Sequence, residues 1–229
     1  MPRRRWLAHC AEHFTGIEVN ATFYRALRPE ALARWSEETP PGFSFALKGH
    51  RAATHLRRLE DVAEPVAVMR QGARPLGDKV AAVIWQLPPS LAKDTNLLEG
   101  FAGVLDGWRD VRHAIEFRHT TWFDDDTAAI LARHAVANCI SDSASRPRWD
   151  AVTTDLAYVR LHGRPRTYAS AYGRRGLAPW ARRVRTWGDE GRHVHVYFDN
   201  DADGAAPLDA LGLMAMVGTV PPWRDEANP

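Results

Sequence analysis

Acidic, basic and amide side chains recur at the ends of strand-like segments in this sequence. The first such segment is GIEVNATFY (16–24), a β-branched and aromatic run that starts from a glycine. In a strand of period two, Glu18, Asn20 and Thr22 would share one face, while apolar residues occupy the other. A carboxylate beside an amide and a hydroxyl suits proton transfer and ligand binding, provided that this face meets an enclosed site.

Six further segments have a similar composition, and most place polar groups towards their carboxyl ends. They are FSFALK (43–48), VAAVIWQLPP (80–89), HAIEFRH (113–119), NCISDS (138–143), AYVRLHG (157–163) and HVHVYFDND (193–201). The period-two pattern predicts that Glu116 and Arg118 share a face, and that Arg160 and His162 do so too. In NCISDS the same pattern places Asn138, Ile140 and Asp142 on one face of the strand.

Helical patterns lie between most of these strands, which indicates βαβ units and a parallel sheet. A sheet covered by helices on both sides should be apolar on both faces, whereas a closed barrel tolerates polar groups on its inner face. The sequence therefore predicts a TIM-type (β/α) barrel, with the site at the carboxyl ends of the strands. We expect a single domain over 1–229, with seven recognisable strands and a loop in place of one helix at 143–157.

Composition excludes several classes of protein. The chain has 229 residues, 45% of them hydrophobic and 25% charged, which is a globular balance. A net charge of +2 gives little support for a polyanionic partner. No segment is long and apolar enough to predict a membrane partner. The two cysteines, Cys10 and Cys139, form no disulfide framework, so we expect a cytoplasmic protein. The sequence does not indicate an oligomeric state.

Seven motifs together resemble the YecE-like family, which is catalogued as domain of unknown function 72. They are EVNATFY, FSFALK, WQLPPS, IEFRHTTW, SDS, YVRLHG and VYFDND. The resemblance extends from near the start of the chain to residue 201, and it implies a TIM-type barrel with a polar cavity lined by these motifs. It implies an architecture more than a reaction.

The chain departs from this family in two places. The family usually begins with a strand that carries a glycine-rich, tryptophan-containing motif, and this chain starts after it. Asp199 stands where an asparagine is usual. A barrel without its first strand has open edges, and we expect the natural start of the protein to lie upstream of residue 1.

Four residues are predicted to be catalytic: Glu18, Glu116, Asp142 and His162. Two carboxylates in one cavity can have their pKa values moved apart by burial and by nearby cations, so that one donates a proton and the other accepts one. The alternative is a buried network of ion pairs that ties strands together.

Lys48 is the most specific of the predicted ligand-binding residues. It ends a strand in a chain with 27 arginines and only three lysines, so a compact ammonium group is suited to that position. Anion binding is the preferred role, and a Schiff base is the minor alternative. The other predicted binding residues are Asn20, Thr22, Tyr24, Gln86, Arg118, His119, Trp122, Arg160, Tyr197, Asp199, Asn200 and Asp201.

The sequence supports an enzyme of hydrolase or lyase type, acting on a small polar, anionic or sugar-like substrate. No cofactor is predicted, although Glu18, Glu116, Asp142 and His162 could together hold a divalent metal. The basic, aromatic segment 164–176 suggests a second class, a nucleic-acid-binding or nuclease-like protein. A non-catalytic ligand-binding barrel is the third alternative, because one fold hosts many functions.

Overall fold

Seven parallel strands form one sheet in a computed structural model that describes residue 2 and residues 5–223. The strands are β1 (Gly16–Val19), β2 (Ser44–Lys48), β3 (Val80–Gln86), β4 (Arg112–Glu116), β5 (Val136–Asp142), β6 (Leu156–Leu161) and β7 (His193–Phe198). Their order in the sheet follows their order in the chain, and each neighbouring pair is parallel. The predicted TIM-like α/β fold, with a nearly closed barrel, is confirmed.

Helices cover the outside of the sheet. They are α1 (Trp6–His13), α2 (Pro29–Glu37), α3 (Ala63–Ala73), α4 (Thr95–Leu105), α5 (Asp125–Arg133), α6 (Gly173–Asp189) and α7 (Ala205–Val217). Between β5 and β6 the chain contains no helix, as predicted for the 143–157 loop. Among the described residues, no helix combines the length and the apolar character needed to cross a bilayer.

Two apolar layers separate the inside of the barrel from its outside. The inner layer consists mainly of small residues, with Tyr158 as its largest member. It comprises Ala46, Ala82, Ile84, Ala114, Ala137, Cys139, Leu156 and Tyr158. The outer face of the sheet packs against the helices through larger side chains, for example Trp85 of β3 against Phe101 of α4. The inward-facing residues are therefore apolar along most of each strand, and the polar groups follow them at the carboxyl ends.

The first segment differs from its prediction. Strand β1 ends at Val19, and Asn20–Phe23 forms a 3₁₀ turn, so Asn20 and Thr22 do not continue the alternation that starts at Glu18. The hydroxyl of Thr22 donates to the carbonyl oxygens of Val19, at 2.9 Å, and of Lys48, at 2.7 Å. Such local bonds from side chain to backbone stabilise a turn in competition with the strand.

Strand β5 presents the opposite face to the one predicted. Ala137 and Cys139 belong to the inner layer, whereas Ile140 packs in the outer cluster with Val159 and Leu161. Asp142 shares the outward face of Ile140, and Ser141 takes the inward position. The period-two pattern does not distinguish the two faces of this strand, because each face carries both apolar and polar residues. Cys139 and Ser141 lie on one face, and Asn138, Ile140 and Asp142 lie on the other.

The sheet does not close between its first and last strands. Among the described residues β7 pairs with β6 alone and β1 with β2 alone. A groove of about 400 Å³ lies along these two edges, lined by β1, β7 and α7 residues such as Ile17, Val196 and Leu213. We call the two unpaired edges and this groove the seam, and the continuous sheet from β2 to β6 the wall. The open edges expected from the sequence are therefore present.

Candidate functional site: a charged cluster at the carboxyl ends of the strands

Arg160 lies at the centre of the polar end of the barrel and contacts three carboxylates from three strands. Its guanidinium donates to Glu116 at 2.6 Å through Nη1 and to Glu18 at 2.7 Å through Nη2. The same Nη2 lies 2.8 Å from Oδ2 of Asp199. Arg160 is 2% exposed, so these contacts are shielded from solvent. We call Glu18, Lys48, Glu116, Arg118, Arg146, Arg160, His162 and Asp199 the charged cluster.

Glu116, on the wall, is surrounded by arginines. Arg118 donates to it at 2.7 Å, and Arg146 forms an ion pair with it at 3.6 Å. Burial by itself would raise the pKa of Glu116, but Arg160 and Arg118 outweigh burial and hold the pKa well below the usual range of a glutamate. Glu116 is therefore an ionised carboxylate that fixes the orientation of the arginines.

Glu18 receives a further hydrogen bond from Tyr158, whose hydroxyl donates to Oε2 at 2.6 Å. Tyr158 was not among the predicted site residues, although it shares the inward face of Arg160 and His162 in β6, and that period-two relation could have identified it. Arg146 was also missed. It lies in the loop after β5, where no periodicity applies, so the sequence offered no signal for it.

Asp199 and His162 lie next to each other in the cluster, and both have shifted pKa values. Burial raises the pKa of Asp199 to about 6, and burial lowers the pKa of His162 to about 3. Oδ2 of Asp199 and Nδ1 of His162 lie 3.3 Å apart, but neither atom has a well-oriented hydrogen bond among the described residues. The second ring nitrogen of His162 is also buried and unbonded there. His162 is therefore a neutral imidazole with unsatisfied polar atoms next to a carboxyl group that titrates near neutral pH.

Lys48 ends β2 and is 9% exposed. Its Nζ lies 4.5 Å from the centre of the Phe23 ring, in the geometry of a cation–π contact. Burial and the nearby Arg160 together lower its pKa to about 8, against the opposing effect of Glu116. Gly49 follows it, and a Cβ there would lie 2.1 Å from the Trp85 ring. The close approach of the backbone to Trp85 thus requires glycine directly after this lysine.

Several predicted residues are held by other partners. The carboxylate of Asp142 accepts from Arg148, Arg164 and Tyr172, and in this position it does not join Glu18 and Glu116. Asn200 is buried and donates to Asp209 and to the carbonyl of Ser170. These bonds anchor the loop before α6.

Other predicted residues lie away from the charged cluster. The side chain of Trp122 is buried in the outer core, and its indole donates to the carbonyl of Leu91. His119 caps the short turn at Thr121, and Tyr24 is 67% exposed. Gln86, in contrast, is in the predicted place, because it accepts a hydrogen bond from Arg118 at 2.7 Å.

The seam gives the cluster a route to the outside. The residues that line its groove include Glu18, Asn20, Tyr197, Asp199 and Asp201. Most of the remaining lining is apolar. Two carboxylates of the cluster thus lie at the polar end of an open groove.

The predicted metal ligands do not converge. Arg160 lies between Glu18 and Glu116 and bonds to both, so a cation of the chain already occupies the position between the two carboxylates. Within the described part of the chain, the group with metal-ligand spacing is His9, Glu12 and His13 on α1.

Two arginines of the basic segment predicted as a nucleic-acid contact pair with aspartates, and two others, Arg174 and Arg175, are exposed. Arg164 donates to Asp142, and Arg166 to Asp203. Tyr168 accepts from Arg146 and packs edge-on against His162 at 5.4 Å. The loop therefore covers the charged cluster.

The fold and the cluster define an open TIM-type barrel with a polar site at the carboxyl ends of its strands. A family model described as "Protein of unknown function DUF72" matches residues 1–228, and the chain belongs to that family. The chain is 21% identical over 227 residues to the UPF0759 protein YunF of Bacillus subtilis, covering 86% of this chain and 80% of YunF. It is 27% identical over 156 residues to the UPF0759 protein YecE of Escherichia coli, covering 64% of this chain and 57% of YecE.

Solved structures of the same family have this fold. A DUF72 family protein of Enterococcus faecalis superposes with a TM-score of 0.83 at 19% identity, covering 93% of this chain and 88% of that one. A DUF72 family protein of Thermotoga maritima gives a TM-score of 0.79 at 24% identity, covering 90% and 85% of the two chains. The resemblance to the YecE-like family is confirmed, and at these identities the structures show the fold alone.

Proposed function

We propose that the charged cluster binds a small anionic substrate and that Asp199 and His162 move a proton on it, as in an enzyme of hydrolase or lyase type. The observation that supports this most directly is the set of unbonded, buried polar atoms on His162, Asp199 and Arg146. A buried polar atom without a partner costs about 1–3 kcal/mol, so such atoms are concentrated where a ligand supplies the missing bonds.

The charges of the cluster favour an anion. Its four cations, Lys48, Arg118, Arg146 and Arg160, outnumber its carboxyl groups, which are Glu18, Glu116 and Asp199. Asp199, with its pKa raised to about 6 by burial, is partly protonated in neutral solution. Its proton reduces the negative charge of the site and makes Asp199 the acid that can donate to a bound substrate.

The roles in this proposal differ among the carboxylates. Glu116, ionised and held by arginines, orients the groups that contact the anion. Glu18 holds Arg160 and accepts from Tyr158, at the polar end of the seam groove. Neutral His162 can accept a hydrogen bond from a substrate hydroxyl at one ring nitrogen and donate one from the other, so it can relay the proton that Asp199 exchanges.

The alternatives have less support. Binding of a nucleic acid through the basic segment has less support because Arg164 and Arg166 bond to aspartates, which leaves the exposed Arg174 and Arg175 as its cations. A non-catalytic barrel would bind the same anions without proton transfer. Both cysteines are free, and we propose the reducing cytoplasm as the compartment.

Titration calorimetry with glycolate and with inorganic phosphate tests the anion site. We expect saturable binding that weakens about tenfold in Arg118→Gln, because the variant removes a cation from the cluster. Arg109→Gln is the matched control, since Arg109 is exposed and pairs with Asp106 on the surface. Absence of binding, or equal binding by both variants, would contradict the proposal.

The proton role has its own readout. Binding of an anion beside Asp199 should raise the pKa of that residue further, so the wild type should take up protons from buffer near pH 6.5. Calorimetry in two buffers of different ionisation enthalpy measures this uptake. Asp199→Asn should bind glycolate without it, and an unchanged uptake in that variant would remove Asp199 from the proposal.

A further inference from the structure

The three lysines of the chain have different environments. Lys79 donates to the carbonyl oxygens of Ser36 and Thr39. Lys93 forms ion pairs with Asp124 and Asp126. Lys48, within the described part of the chain, has no hydrogen bond and no ion pair, and its Nζ instead faces the ring of Phe23. The lysine inside the barrel is thus the one whose amine has no oxygen partner.

The surroundings of Lys48 favour its uncharged form. Burial and the nearby Arg160 and Arg118 all disfavour an ammonium group, against Glu116 and Glu18, and its pKa falls to about 8. The ammonium form still predominates at neutral pH, but roughly a tenth of the amine is unprotonated there, far more than for a lysine with the usual pKa. A lysine that is desolvated and lies next to other cations is the arrangement that activates this side chain as a nucleophile.

The remaining groups of the cluster suit a substrate with two functional groups. Arg118 and Arg146 provide guanidinium groups for an anionic group, and Asp199 provides a proton that it exchanges near neutral pH. An amine adds to a carbonyl carbon, and the addition is completed by proton transfer to the carbonyl oxygen. A carbonyl compound that carries a carboxylate or phosphate would use all of these groups at once.

We propose that Lys48 is a nucleophile that condenses with the carbonyl group of a small anionic substrate to form an imine. This inference rests on the anion site proposed above and names the substrate class for it.

The bonds and protons balance without a further reactant. The lone pair of Nζ forms a C–N bond, and one of the two amine protons passes to the carbonyl oxygen by way of Asp199 to give a carbinolamine. Asp199 then protonates the hydroxyl, which leaves as water while the nitrogen lone pair forms the C=N bond, and the remaining proton on the nitrogen returns to the Asp199 carboxylate. The products are one imine and one water molecule, and no oxidant or reductant is consumed.

Reductive trapping with glyoxylate and sodium borohydride tests the inference, because borohydride converts the imine to a stable secondary amine. Glyoxylate is a small aldehyde that carries a carboxylate. Labelling of each lysine is followed over time by peptide mass spectrometry, and each rate is divided by the rate of the same lysine in the urea-unfolded chain. We expect the normalised rate of Lys48 to exceed that of Lys93 by at least about tenfold, since the small reactive fraction of unprotonated amine is much larger at Lys48.

Three controls identify the cause of the labelling. Glycolate, which has the carboxylate but no aldehyde, should protect Lys48. Acetaldehyde, which lacks the anion, should label Lys48 more slowly than glyoxylate does. Lys48→Arg should lose the fast label, because a guanidinium group does not condense to the imine, whereas Lys93→Arg should change neither the labelling of Lys48 nor the binding of glycolate.

The outcomes separate the two proposals. If Lys48 is labelled no faster than Lys93 while glycolate still binds, the imine is wrong and the anion site stands. If glycolate does not bind, the anion site fails, and the substrate class inferred from it fails too. Fast labelling of Lys48 that glycolate blocks supports both.

Discussion

Glu116 on the wall and Asp199 at the seam both contact Arg160, and yet their carboxyl groups behave in opposite ways. Arg160 and Arg118 outweigh burial at Glu116 and keep its pKa below the usual range. At Asp199 burial prevails and raises the pKa to about 6. Glu116 has two arginines as hydrogen-bond donors, whereas Asp199 has a single arginine contact whose orientation is poor. The wall therefore holds Glu116 in its ionised form, whereas Asp199 at the seam can still exchange a proton.

The same contrast appears in packing. Every residue of β6 is buried, whereas every residue of β7 retains at least intermediate exposure. β6 has a strand on both sides, and β7 faces the groove of the seam on one side. A nearly closed barrel can thus combine a rigid, charged centre with an accessible edge.

The strongest way to break this comparison is to remove the wall carboxylate. Glu116→Gln should lower the free energy of unfolding by about 3–5 kcal/mol, because it leaves Arg118 and Arg160 buried with a lost partner. Urea unfolding measures the loss. Glu99→Gln, which removes a surface partner of Arg133, should cost much less. Similar losses in both variants would show that Glu116 is not held as described.

A matched pair of valines sharpens the packing contrast. Val159 of β6 and Val196 of β7 are register partners, the first fully buried and the second at the groove. Val159→Ala should cost about 2 kcal/mol through lost apolar burial and the space it leaves, and Val196→Ala about 1 kcal/mol or less. Urea unfolding of the two variants under the same conditions measures the loss of unfolding free energy in each. Equal costs would mean that the seam is as tightly packed as the wall.

The third expected effect, comparable in size with the cost of Val159→Ala, is a pH dependence from the seam carboxyl. The pKa of Asp199 is raised from 3.8 to about 6 on folding, so between these values the folded state binds a proton that the unfolded state has lost. The contribution of Asp199 to stability therefore falls as pH rises through this window, by about 2 kcal/mol in total. The unfolding free energy of the wild type minus that of Asp199→Asn should decline from pH 4 to pH 7. Parallel profiles would contradict the raised pKa.

The strands could be predicted because their composition and period are local properties of the chain. FSFALK and AYVRLHG became β2 and β6 almost as read. The failures occurred where local pattern permits two outcomes. Residues 20–23 form a turn because Thr22 bonds to a carbonyl of another strand. The inward face of β5 was predicted wrongly because the period-two pattern fits both of its faces equally well.

The sequence by itself determined the class of the fold, the order of its elements and the residue types at the ends of its strands. The motifs that resemble the YecE-like family, together with the alternation of strand and helix, were sufficient for that. Only the tertiary structure decided that Arg160 joins Glu18 and Glu116, that Asp142 is held outside the cluster, and that Lys48 lacks an oxygen partner. Charge state and reactivity depend on which groups meet across the barrel and how deeply they are buried. Those are distances between residues far apart in the chain, and no local pattern encodes them.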